Sequence, residues 1–248
     1  MITTLLAASA LMGAQEARPQ WTGPDLVSKM LATYHNRRSA DGTITLTLRM
    51  GNESSRLRTD VTYLMPSRVH IFQRSERPPI RRSILVSDGR TFMYSRPNIS
   101  RWEDIKEYLF EPVQAADGRL QLVGDIYAAG TASMLDRSIP LDIVINRRAD
   151  LEYLRLRLAN VAYGGRAKLG NEEMHRVTAM LRLIPGEKPT DPCVFWIDDN
   201  FMLRRFEVQE KHEDKESQRV LSFVMQWDLN ITLDQVDKID RSRFTIRR

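Results

Sequence analysis

Four histidines, one cysteine and an Asp-Asp-Asn turn are the residues here whose types invite a chemical reading. The histidines stand at positions 35, 70, 175 and 212, and none lies three or four residues from another. A helical metal pair needs that spacing, so none exists. His175 begins a strand and reads as a hydrogen-bonded structural residue, while His212 falls in a charged run and reads as solvated. Cys193 is alone, which excludes an internal disulfide framework and a cysteine-rich zinc module. No lysine or histidine adjoins it to lower its pKa, so it reads as a small buried side chain. Asp198-Asp199-Asn200 offers either calcium ligands or plain turn chemistry. Asp198 as a general base would need a partner acid that nothing else supplies. There is no Gly-rich dinucleotide fingerprint, no phosphate loop and no nucleophile elbow. The expectation is a protein without catalytic residues, metal or cofactor. Trp196, Phe206, Phe223 and Trp227 remain as a group on strands of the second half. A packed core and the lining of a cavity both put such residues inward, and alternation does not separate the two.

Charge narrows the partners. Lysine and arginine total 37 against 32 acids, for a net charge of +5, and all but seven of the 37 are arginine. Guanidinium forks suit phosphate, but these arginines are spread evenly among nearly as many acids and never condense into a basic block, so nucleic acid is not expected. No apolar stretch approaches the roughly 18–20 residues needed to span a bilayer, which limits any membrane association to a peripheral one. The first charged side chain is Glu16. The charge-free run before it ends in Gly13-Ala14 and reads as a secretory signal peptide over residues 1–14, a buried N-terminal helix being the alternative. Export would place the protein in the periplasm or outside the cell.

The elements that must position these residues follow from periodicity. Thr22-Gly23-Pro24-Asp25 opens a helix running to about Arg38, with Leu26, Val27, Met30, Leu31 and Tyr34 on one face. From Thr43 the period becomes two. Ile44, Leu46, Leu48 and Met50 oppose threonines and Arg49, and four further short strands follow, the last pair joined at Asp88-Gly89. Ser100-Arg101-Trp102-Glu103 has the form of a capping box for a helix carrying Trp102, Ile105, Leu109 and Phe110. A second helix after Gly118 carries Leu122, Val123, Ile126 and Tyr127, and Ser138–Asn146 fits either a helix or a strand. Strands return in the Leu-Arg alternation from Leu154 to Leu158, with a turn at Tyr163-Gly164-Gly165, and continue to Leu229. About ten strands interrupted once by helices predict an α+β fold: one strongly curved antiparallel sheet, an open half-barrel with a helical lid on its apolar face. The expected inward residues are Leu46, Leu48, Tyr63, Ile71, Tyr94, Trp196, Phe206, Phe223 and Trp227 from the sheet, and Met30, Tyr34, Val123, Ile126 and Tyr127 from the helices.

Several strings carry a family resemblance. YLMPSRVHI (63–71) resembles the tyrosine–proline step of LolA-type proteins, and LVSDGRTFMYSRP (85–97) their central Asp-Gly hairpin. AYGGRAKLGNEEMHRV (162–177), VFWIDDNFMLRRFEV (194–208) and WDLNITL (227–233) resemble predicted periplasmic proteins of unknown function that share the LolA-like fold. The resemblance covers most of residues 25–247 and implies a single LolA-like domain over 15–248 with an apolar cavity under the lid. It implies a non-enzymatic carrier or binder of lipid or lipoprotein acyl chains, with the fourteen inward residues as the lipid-binding set. The alternative it implies is an envelope sensor or regulatory domain that binds a lipid or a protein partner. The family's functional arginine finds no matching motif here.

Overall fold

A computed structural model of the chain describes residues 21–246 apart from 36, 79, 96–106, 146, 183 and 215–218. Residues 1–14 and the segment with Trp102 and Ile105 lie outside the described residues. Thr22 caps the first helix, α1 (Gly23–Tyr34), and Asp25 completes a capping box with it. The five apolar residues expected on one face of α1 are its buried ones. Gly23 lets the helix start lie on a strand backbone, because a Cβ there would meet the Ala162 carbonyl carbon at 2.7 Å.

The described strands form one antiparallel sheet of eleven. In chain order they are β1 (Ser39–Met50), β2 (Glu53–Leu64), β3 (Arg68–Ser75), β4 (Arg82–Asp88), β5 (Thr91–Ser95), β6 (Tyr108–Pro112), β7 (Leu158–Leu169), β8 (Glu172–Leu181), β9 (Asp191–Ile197), β10 (Leu203–Asp214) and β11 (Arg219–Leu233). The order across the sheet is β6-β5-β4-β3-β2-β1-β11-β10-β9-β8-β7, two meanders joined where β1 pairs with β11. The edges β6 and β7 do not pair, so the sheet stays open. Between the meanders the chain forms α2 (Val123–Gly130), α3 (Ile139–Ile145) and α4 (Arg148–Arg157). These helices and α1 pack on the face that carries the core: α1 on β7 and β8, α2 on β4 and β5, α3 on β1.

Three local expectations are corrected. Leu109 and Phe110 lie on strand β6 paired with β5, not on a helix. The Leu-Arg alternation at 154–157 belongs to helix α4, where Leu151 and Leu154 are buried while Leu156 is 62% exposed. Leucines three apart suit a helix face, and Arg155 and Arg157 sit favourably in its last turn. Tyr163-Gly164-Gly165 is not a turn but an irregular stretch of β7, where pairing with β8 shifts register. The ambiguous segment 138–146 is helix α3. Asp88-Gly89 turns the β4–β5 hairpin as expected, with Gly89 at φ +91° and Asp88 accepting from the Arg90 and Thr91 amides.

Candidate functional site

Cross-strand register assembles the concave face row by row. Val177, Phe195, Phe206, Trp227 and Leu46 lie opposite one another on successive strands. Phe206 is the centre of an aromatic stack, 4.7 Å from Phe195 and 5.7 Å from Trp227 between ring centroids. Helices fill the space above these rings. Met30, Tyr34, Tyr63, Ile71, Val123, Ile126, Tyr127 and Phe206 are buried completely or nearly so, and Trp227 almost as deeply. Leu46 and Tyr94 are half-buried at the margin of the same cluster. Eleven residues of the expected set therefore share this face or flank it, and most of them touch one another across a closed sheet–helix interface.

Trp196 is misplaced in the sequence reading. In β9 the buried positions are Cys193, Phe195 and Ile197, so Trp196 points to the convex face, between Arg176 and Arg205 of the neighbouring strands. The run Val-Phe-Trp-Ile has no polar residue to reveal its phase, and Phe195 is the ring that alternation overlooked. Leu48 and Phe223 lie on the concave side but beyond the helices. With Met225 they form the apolar wall of a groove of about 410 Å³, also lined by Thr190, Asp191, Glu210 and Lys211. The Glu210 carboxyl is raised above its usual range by burial and by the neighbouring Asp191. A second cleft of about 400 Å³ lies between α1 and α4, with Arg148, Glu152 and Arg155 among its lining residues.

Polar bonds fasten the helical layer to the sheet. Gln73 of β3 is fully buried and faces inward. Its Oε1 accepts from the Leu135 and Asp136 amides, at 2.7 and 3.2 Å, and its Nε2 donates to the Asp136 carbonyl at 2.7 Å. Trp227 Nε1 donates to Asp136 Oδ2 at 3.0 Å. The linker between α2 and α3 is thus held from two strands. A signal for this existed in the sequence: Val69, Ile71 and Gln73 alternate inward, and an amide at such a position calls for partners.

Within the helical layer, the Tyr127 hydroxyl of α2 donates to Asp142 Oδ1 of α3 at 2.7 Å. Burial pushes the Asp142 carboxyl up to about 6 despite that bond, with Asp150 adding to the rise and Arg137 and Arg157 opposing it. A carboxyl whose folded pKa lies above its unfolded value of 3.8 stabilises the fold when protonated, and that contribution disappears as pH rises through about 6. The shift is worth roughly 3 kcal/mol. Asp142→Asn keeps an acceptor for Tyr127 and removes the charge. Its expected result is a melting temperature above wild type at pH 8 and no advantage near pH 4, read from thermal melts at both pH values.

The other candidates resolve into structure. Cys193 is buried, and burial raises its thiol to about 12. Asp198 Oδ1 accepts from the Asn200 and Met202 amides and Oδ2 from Arg204 Nε, which is turn chemistry. His175 is buried, with Tyr163 Oη 3.2 Å from Nδ1 and Asp199 Oδ1 3.3 Å from Nε2. Arg166 holds Asp199 with both terminal nitrogens, at 2.7 and 3.1 Å. Burial, and then Arg166, lower the His175 pKa. This cluster ties the β7–β8 pair to the turn before β10. Among the described residues, no three histidine, cysteine, aspartate or glutamate side chains converge as metal ligands.

No protein-family model matches the sequence, and no curated protein matches it. Solved structures similar to the chain include the Pseudomonas aeruginosa MucA/MucB complex, at 13% identity over 84% of this chain and 56% of that one, with a TM-score of 0.41. The chain thus spans little more than half of that protein. The Mycobacterium tuberculosis lipoprotein LppX is similar at 12% identity over 86% of this chain and 96% of that one, with a TM-score of 0.39. A LolA superfamily protein from Nitrosomonas europaea is similar at 9% identity over 91% and 98%, with a TM-score of 0.30. Among the described residues no helix is long and apolar enough to cross a membrane.

Proposed function

We propose that the protein is a non-enzymatic carrier or binder of lipid or lipoprotein acyl chains, working in the periplasm or outside the cell as a single domain over residues 15–248. The observation that carries this reading is the continuity of the concave face. The groove wall of Leu48, Met225 and Phe223 adjoins Leu46 and Trp227 on the same two strands, and the row continues through Phe206 and Phe195 on the next two. An acyl chain seated in the groove extends along that row as the helical layer yields. The Gln73 and Trp227 bonds to the linker between α2 and α3 restrain that movement, and the apolar contacts it breaks are replaced by those of the chain itself.

Each buried methylene contributes about 0.8 kcal/mol, so ten of them supply on the order of 8 kcal/mol before the cost of ordering ligand and lid. Micromolar binding is within reach of that figure, and it is insensitive to salt. The test is a titration with a fluorescent fatty acid at low and high salt, with organic extraction of the purified protein for bound lipid. Phe223 is half-buried in the groove rather than packed in the core, so Phe223→Ser probes the site without unfolding the protein. It is expected to weaken the probe about tenfold or more while leaving the melting temperature within a few degrees. Absence of saturable binding, together with absence of co-purifying lipid, would overturn the reading.

A partner-binding regulatory domain is the second reading, favoured by edge strand β6. Tyr108, Leu109 and Phe110 there are 46%, 36% and 45% exposed, a surface suited to strand addition.

A further inference from the structure

The convex face carries a feature that acyl-chain binding does not use. Arg58, Arg74 and Arg82 stand directly opposite one another on β2, β3 and β4. Neighbouring strands lie about 4.8 Å apart, so three guanidinium side chains rise from one row of one face. Like charges opposite one another oppose sheet formation. Arg58 is offset by Asp60 at 2.9 Å, but Arg74 has no carboxylate within bonding distance among the described residues. Arg49 and Arg56 point from the same face on β1 and β2, and both are exposed.

The row has a definite place. These arginines lie toward the end of the sheet where the β1–β2 and β3–β4 turns fall. The groove of Leu48, Phe223 and Met225 opens at that end on the opposite face. Exposed apolar side chains mark the same end: Met50 at 38%, Leu156 at 62% and Ile184 at 49%. Exposed arginines such as Arg56 and Arg74, beside protruding apolar side chains, match a surface that supplies both negative charge and hydrocarbon.

We propose that this end docks on an anionic lipid surface, with Arg56, Arg58 and Arg74 on the headgroups and Met50 and Ile184 reaching the acyl boundary. Docking there sets the groove mouth against the lipid from which an acyl chain is drawn or to which it is delivered. That consequence rests on the proposed carrier function; the docking itself does not.

Vesicle co-sedimentation with full-length protein tests it. Phosphatidylcholine vesicles are compared with vesicles of phosphatidylcholine mixed with phosphatidylglycerol, at low and high salt. Binding is expected to the anionic vesicles alone and to vanish at high salt. Each arginine near an anionic surface contributes about a fivefold factor, so the variant Arg58→Thr with Arg74→Thr should bind on the order of 25-fold more weakly. Threonine is a good strand former, and both sites are exposed, so the fold is retained. A charge-matched control, Arg90→Thr with Arg119→Thr, removes two exposed arginines from the opposite end and should keep wild-type binding. Equal loss in the control would reduce the effect to net charge and overturn the proposal. Unchanged binding in the row variant, equal binding to neutral vesicles, or no vesicle binding would also overturn it. The fatty-acid titration separates the two proposals: the row variant keeps wild-type affinity for the probe if the groove binds acyl chains. Vesicle binding without probe binding would leave docking standing and remove the carrier function.

Discussion

Phe206→Ala is expected to lose about 3–5 kcal/mol of stability, the range for truncating a fully buried phenylalanine. Phe206 contacts Phe195 on one side and Trp227 on the other, with helices above. The flanking rings are held by their own strands and cannot close the gap, so the cavity term adds to the lost transfer energy. For a chain of this size the loss corresponds to a fall of roughly 6–10 °C in melting temperature. Urea unfolding followed by tryptophan fluorescence reads it directly. Trp196→Ala is the contrast. The larger side chain is lost there, but from the half-buried convex face, and the cost should be no more than about half as great. Equal costs would mean that Trp196 belongs to the core and that the face assignment of β9 is wrong.

Gln73→Leu is expected to cost on the order of 3 kcal/mol and to release the helical layer locally. The substitution fits the space but leaves the Leu135 and Asp136 amides and the Asp136 carbonyl without their partner. Each buried group stranded in this way costs about 1–3 kcal/mol unless water reaches it. Water is admitted most readily by loosening the linker between α2 and α3. Hydrogen exchange should therefore accelerate over residues 131–145 while β9 to β11 stay protected. If the layer gates the concave face, the fatty-acid probe should also associate faster. Uniform acceleration across the sheet would mean that Gln73 supports the whole fold instead of fastening the lid.

Most of the sheet is legible because its residues alternate with one polar partner at a time. Ile44 to Met50 against threonine and Arg49 left no choice of phase, and α1 was legible because its cap and its apolar face agree. Where polar punctuation fails, reading fails. Val194 to Ile197 are all apolar, so alternation alone does not distinguish Trp196 from Phe195 as the inward ring. Leu154 to Leu158 satisfy a strand period over five residues, while the helical spacing that governs them starts at Leu151, outside that window. Leu109 and Phe110 suit either state, and pairing with β5 decides for the strand. The site is harder still. Composition cannot tell an aromatic in a packed stack from one lining a space, and that difference lies in how completely the helices cover each row. Leu48 and Phe223 look the same in sequence as Tyr63 and Phe206, yet the first two border a groove and the others are sealed.

The β1–β11 seam bears on how the chain reaches this state. Ala40 pairs with Leu233 and Met50 with Phe223, partners roughly 170 to 190 residues apart. The first six strands can form by local pairing as the chain emerges, but β1 then presents a long unpaired edge until the last of the described strands is made. Loop closure on that scale is slow, and an open twelve-residue edge is a template for pairing with other chains. Refolding from urea should therefore become less efficient as protein concentration rises, and a chain truncated before β11 should aggregate rather than remain as a stable half-sheet. Inside the cell, the same exposed edge would give a holding chaperone its longest opportunity before the seam closes.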